Sequence, residues 1–148
     1  PPQRRRTVAK NPEHLLGFTL RILTRPGLGP AAEEAFADRL EAYMSEHELF
    51  TRGGPLCCVV WCPERSLTAT DQVDLIDWLA GDPVPVTVLL SPLNPVLDRP
   101  APSEAGCVRA DGSDLTLIPL TWLYRCRRIS AELFLQILGG FVRPAVVH

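Results

Sequence analysis

The stretch from residue 49 to residue 93, LFTRGGPLCCVVWCPERSLTATDQVDLIDWLAGDPVPVTVLLSPL, most constrains how this chain can fold. A turn at Gly53-Gly54-Pro55 opens it. The run over 56–62 holds Val59 and Val60 and shows no alternation, so it reads as a central strand apolar on both faces. Pro63 ends that run. Thr68, with Asp71 three residues on, matches a capping box with the shorter acid. Val73, Ile76, Leu79 and Ala80 then recur at helical spacing, with Trp78 flanking the stripe and Asp71, Asp74 and Asp77 toward water. Gly81 and Pro83 stop the helix. Residues 84–90 form a second β-branched, apolar run that Pro92 and Pro95 close.

The segment upstream repeats this logic. Residues 15–23 alternate Phe18, Leu20 and Ile22 against Thr19, Arg21 and Leu23, the period of a half-buried strand. Pro26-Gly27 and Gly29-Pro30 break it. Pro30 suits a first helical position, and Glu33 and Glu34 suit the positive end of the helix dipole. Ala32, Phe36, Leu40, Tyr43, Met44 and His47 form one stripe, which predicts a helix over about 31–46. A short strand over 49–51 follows. The order strand, helix, strand, strand, helix, strand predicts an α+β fold of the β-α-β-β-α-β, ferredoxin-like or split β-α-β kind, with both helices on one face. Fifteen prolines argue against an all-helical alternative.

At 148 residues the chain suits one domain with an appendage. Residues 1–13 read as a flexible basic arm, 14–98 as the α+β domain, and 99–148 as a linker and a C-terminal strand-helix extension packing on that domain. Residues 98–114 look loop-like. Residues 115–124 are apolar with one proline, which predicts a fifth strand broken at Pro119. Ser130 can cap a helix over 131–138. Leu133, Phe134, Leu135, Ile137 and Leu138 leave that helix almost no polar face, so it should be buried or docked.

The formal net charge of −2 supplies no global basic field. The charge is uneven, however. Residues 1–30 carry Arg4, Arg5, Arg6, Lys10, Arg21 and Arg25 against Glu13. Residues 31–48 carry Glu33, Glu34, Asp38, Glu41, Glu46 and Glu48 against Arg39. Such a basic arm can contact a polyanion, or both runs are solvated surface. Arg125, Arg127 and Arg128 form a second basic cluster beside Trp122 and Tyr124. Aromatics next to arginine can stack on bases, although in an apolar segment Trp122 and Tyr124 read as core.

The five cysteines include no C-x-x-C pair and no disulfide framework, which predicts a reducing, cytoplasmic setting. Cys57, Cys58 and Cys62 read as core thiols, with Cys58 and Cys62 on one strand face and Cys57 on the other. No metal and no cofactor is expected. A cysteine paired with His47 as a nucleophile lacks any local signature. Asp71, Asp74, Asp77 and Asp82 read as a solvated helix face rather than a cation site. Gly53-Gly54-Pro55 lacks the Lys-Ser/Thr of a phosphate loop. No apolar run reaches the ~18–20 residues of a membrane span, and no signal peptide opens the chain, so no membrane partner is expected.

One family shares several of these features. They are Arg4-Arg5-Arg6 with Lys10, Leu16-Gly17-Phe18, an acidic helix, Gly53-Gly54, an apolar strand, Leu67-Thr68 opening a helix that ends Trp78-Leu79, and a closing strand into Ser91-Pro92-Leu93. Over about residues 4–98 the pattern resembles the small bacterial YggL family, described as binding the large ribosomal subunit. Where that family closes with Asp-x-Trp, this chain has Asn94-Pro95-Val96-Leu97-Asp98, and residues 99–148 have no counterpart. The resemblance implies a non-enzymatic module that contacts ribosomal RNA or the large subunit. Arg4, Arg5, Arg6 and Lys10, with Arg125, Arg127 and Arg128, are then the candidate RNA-binding residues. The alternative is a protein-interaction or immunity-type module that docks another protein through its acidic helix face or apolar C-terminal tail. An enzyme built on a reactive cysteine is the third possibility.

Overall fold

The computed structural model describes residues 14–96 and 107–139. Among them the chain forms an α+β fold of four helices and a six-stranded antiparallel sheet. Strand β1, Leu16–Thr24, carries the alternation expected of it: Phe18, Leu20 and Ile22 are buried, and Arg21 and Leu23 are exposed. Helix α1, Pro30–Glu46, begins with Pro30 in its first turn, where a missing N–H removes no helical bond. Its buried stripe is Phe36, Leu40, Tyr43 and Met44.

Strands β2, Phe50–Gly53, and β3, Cys57–Trp61, form a hairpin. Gly53 sits at φ 121°, and a Cβ there would lie 2.8 Å from the carbonyl oxygen of Cys57, so the turn demands glycine. Helix α2, Ala69–Ala80, starts with the capping box read from Thr68 and Asp71, and the Thr68 N–H donates to Asp71 Oδ2 at 2.8 Å. Strand β4, Pro85–Leu90, follows, and β5, Asn94–Pro95, is a two-residue pairing. Strand β6, Val108–Asp111, comes next. Helices α3, Leu117–Arg125, and α4, Ala131–Ile137, complete the described chain.

The strands lie in the order β2-β3-β1-β4-β6, with β5 beside β1. The sheet therefore exceeds the four strands of the expected β-α-β-β-α-β unit. It gains β6 beyond β4 and β5 beside β1. Phe18, Leu20, Ile22, Cys58, Val60, Val88, Leu90, Val108 and Ala110 turn to one side of it. There they join the apolar faces of all four helices in a single cluster. Trp78 of α2 packs between Phe36 and Tyr43 of α1, with ring centroids 6.5 and 4.9 Å away, and so joins the two helices. Phe36 and Phe134 are wholly buried, each stabilising the fold by about 2–3 kcal/mol.

Several expectations are corrected. Residues 117–125 form a helix, not a broken strand, because Pro119 falls in the first turn, where the amide has no helical acceptor to lose. Leu117 and Leu120 pack into the core from that helix. The loop expected over 98–114 contains β6, which pairs with β4 from Leu90↔Val108 to Thr87↔Asp111. Helix α4 is capped by Ser130, whose Oγ accepts from the Leu133 N–H at 3.1 Å. It is not buried all round: Leu133 and Ile137 are exposed. Strand β3 is not covered on both faces, since Cys57 is exposed and Val59 and Trp61 are half-buried. Among the described residues the four helices all lie on one side of the sheet.

The acidic face of α2 is not simply solvated. Asp71 accepts two bonds from Arg65 at 2.8 Å, and Asp82 accepts two from Arg39 at 2.8 and 3.0 Å. Asp74 accepts from the Tyr124 hydroxyl at 2.9 Å, and Asp77 accepts from Arg125 Nε at 2.9 Å. The last two bonds tie α3 to α2. Trp122 is 59% exposed and so is not core, whereas Tyr124 packs edge-on against Phe134 at 5.8 Å.

Candidate nucleic-acid interface

Strand pleating assigns alternate residues to opposite faces. The residues that β1, β2 and β3 turn away from the helices therefore share one surface. Register fixes who stands beside whom. Phe50 pairs with Trp61, and Arg52 pairs with Val59, which pairs in turn with Thr19. Cys57 pairs with Arg21, Arg21 with Leu89, and Leu89 with Arg109. Leu23 pairs with Thr87, and Thr87 with Asp111. Each row crosses the sheet with neighbours about 5 Å apart.

The β2–β3 half of this face is the open one. Phe50 is 51% exposed, and its ring centroid lies 5.5 Å from that of Trp61 at an interplanar angle of 47°. Arg52, Cys57 and Arg21 are exposed beside them. On the β4 side, Thr87 and Leu89 are buried. Asp111 is the single acid in these rows. The Thr87 hydroxyl donates to its Oδ1 at 2.6 Å, and Arg109 Nε donates to its Oδ2 at 3.1 Å. The Thr87 hydrogen bond, then that of Arg109, holds the Asp111 carboxyl below the usual carboxylate range.

The opposite layer is acidic. Helix α1 carries Glu33, Glu34, Asp38, Glu41 and Glu46, and α2 carries Asp71, Asp74 and Asp77. Burial works against ionisation of Asp71 and Asp82. The Arg65 and Arg39 guanidinium groups, with the Thr68 and Val84 N–H groups, outweigh it and hold both carboxyls low. The molecule is thus polarised, with carboxylates over the helices and arginines among aromatic and apolar side chains on the sheet.

Of the residues singled out in the sequence, Arg4, Arg5, Arg6 and Lys10 lie outside the described residues. Arg125 is engaged by Asp77 in the helix layer. Arg127 and Arg128 are exposed in the turn after α3, with Arg127 at φ 62°. The structure does not bring these three to the open sheet face. Sequence reading passed over Phe50, Trp61 and Arg52. The signal for Arg21 was present, because the alternation of 15–23 already put it opposite the core. Phe50 and Trp61 required the hairpin register.

A recess of about 230 Å³ lies between α1 and the β2–β3 hairpin, lined in part by Leu40, Glu41, Met44, Gly53 and Cys58. Burial pushes the Cys58 thiol up to about 11, which leaves it a poor nucleophile at neutral pH. His47 stacks on Tyr43 with centroids 4.0 Å apart and places Nδ1 2.9 Å from the Tyr43 carbonyl oxygen. Among the described residues no group of three or more His, Cys, Asp or Glu is arranged to hold a metal ion. No helix among them is long and apolar enough to cross a membrane. No protein-family model, no curated protein and no solved structure matches this chain.

Proposed function

We propose that this chain is a non-enzymatic binding module whose target is RNA, in keeping with its resemblance to ribosome-associated proteins of the large subunit. The observation that carries this reading is the polarised sheet face, where Arg21, Arg52 and Arg109 stand in rows containing the single acid Asp111. A polyanion is attracted to that face and repelled by the helix layer. We take the β2-β3-β1-β4 portion of the sheet as a split β-α-β, ferredoxin-like unit, with β6 as an added edge. The cytoplasm is the compartment this target implies.

Co-sedimentation with large ribosomal subunits tests the reading. Association at low salt should weaken by roughly tenfold for a fourfold rise in salt, as two or three phosphate contacts require. R52E should weaken it further. No association at low salt would refute it.

A second reading has its own observation. Leu115, in the turn before α3, is 87% exposed, and Ile118 and Trp122, four residues apart on α3, are 75% and 59% exposed. Such a stripe suits a protein partner. A stoichiometric protein complex that survives nuclease and is lost in I118E would favour it over RNA.

A further inference from the structure

We infer that the Phe50–Trp61 pair is a base-stacking platform, so that the RNA bound by this face is single-stranded. This rests on the RNA-binding reading above and adds the form of the ligand and the residues that select it. Phosphates alone require only cations on a surface. This face also offers a tilted aromatic pair across the β2–β3 ladder, with one ring half exposed. Arg52 lies two residues along β2 from Phe50, on the same side, and Arg21 lies two strands away in the next row. Two residues along a strand span about 7 Å, close to the spacing of successive phosphates in an extended strand.

A base laid on Phe50 therefore has its flanking phosphate within reach of the Arg52 guanidinium. Duplex RNA cannot use this platform, because its bases are stacked on one another and its deep groove excludes side chains. A protein partner would meet the charges of Arg21 and Arg52, with Arg109 already engaged by Asp111. A nucleic-acid strand brings the flat rings and the negative charge that the two side-chain types complement. The surroundings suit a sequence-tolerant contact, since Val59 and Thr19 beside the pair provide bulk and little hydrogen-bonding chemistry.

The test uses the full chain, fluorescence anisotropy, and two probes: a labelled oligouridylate of about ten nucleotides and an A·U duplex of equal length. Single strand should bind at least tenfold tighter than duplex. F50A should lose roughly tenfold on the single strand and little on the duplex, and F50Y, which keeps the ring, should restore binding. R52Q should weaken both probes and flatten the salt dependence.

If single strand and duplex bind alike, and F50A binds like wild type while R52Q is weakened, the stacking platform is wrong and the polyanion reading survives. If neither probe binds at low salt, both readings fail. A concentration-dependent dimer abolished by F50A, with no RNA binding, would show that a second copy occupies the face and would also overturn the proposal. Should F50A lower the melting temperature sharply, the F50Y variant and the wild-type strand-to-duplex ratio still decide.

Discussion

Gly17 is the position at which the smallest change should do the most damage. It lies in β1, and a Cβ added there would stand 2.4 Å from the Val60 carbonyl oxygen. It would also stand 3.2 Å from Trp61 Cβ and from Val96 Cγ2. Ordinary contact needs about 3.4 Å, so β1 and β3 have to separate by about 1 Å at this point. Neither obstacle on the β3 side is the far end of a flexible side chain. Overpacking of this kind costs about 1–3 kcal/mol. Stretching one ladder hydrogen bond beside the Phe18↔Val60 pair adds about 1 kcal/mol more.

Gly17→Ala should therefore destabilise the chain by about 2–4 kcal/mol, a fall of roughly 5–15 °C in Tm for a chain of this size. Gly54→Ala is the matched control, because a Cβ there meets nothing within 4 Å. It should stay within about 0.5 kcal/mol of wild type. Urea unfolding followed by far-ultraviolet circular dichroism reads both. A Gly17→Ala protein within about 0.5 kcal/mol of wild type, with an unchanged urea slope, would refute the steric reasoning. Because the same Cβ presses on Trp61, this variant should also weaken the RNA binding we propose for the sheet face.

Three further expectations follow from the packing and the charges. Phe134→Ala should cost about 3–5 kcal/mol and keep a single unfolding transition, since Phe134 is fully buried in the same cluster as the sheet; a separate low-temperature transition would show that α4 belongs to another unit. Asp71 is held low in the folded state, so its contribution is present above the unfolded value near 3.9 and is lost as pH falls through the folded value. The urea midpoint should therefore drop below about pH 4, less steeply in Asp71→Asn, with a difference under about 1 kcal/mol for this partly exposed pair; identical pH profiles would count against it. With a thiol reagent at pH 7, Cys57 and Cys126 should label quickly and Cys58 only on unfolding; fast native labelling of Cys58 would reverse that assignment and revive thiol chemistry.

The elements easiest to read from the chain are those set by residues within four positions of one another. Pro30, the Thr68–Asp71 box and Ser130 mark helix starts because each meets the bonding needs of a first turn locally. The alternation over 15–23 separated Phe18, Leu20 and Ile22 from Arg21 in the same way. Helix α3 was hidden because Pro119 looks like a breaker unless its place in the first turn is known. Strand β6 was hidden because four residues among polar loop neighbours have little period to show, and their partner β4 lies some twenty residues earlier. Trp122 looked like core because apolarity says nothing of which side of a helix the core occupies.

The sequence by itself thus determined the local elements and the uneven charge, since propensity, capping and periodicity act over a few residues. Tertiary structure alone decided the surface. Pairing across the hairpin put Phe50 beside Trp61, and pairing of β1 with β3 brought Arg21 beside Cys57. Bonds across 48 and 50 residues tied Arg125 and Tyr124 to α2 and held Arg125 in the helix layer. The open face exists because all four helices bury their apolar sides in one cluster against the other side of the sheet, an outcome of packing between distant segments that no local pattern encodes.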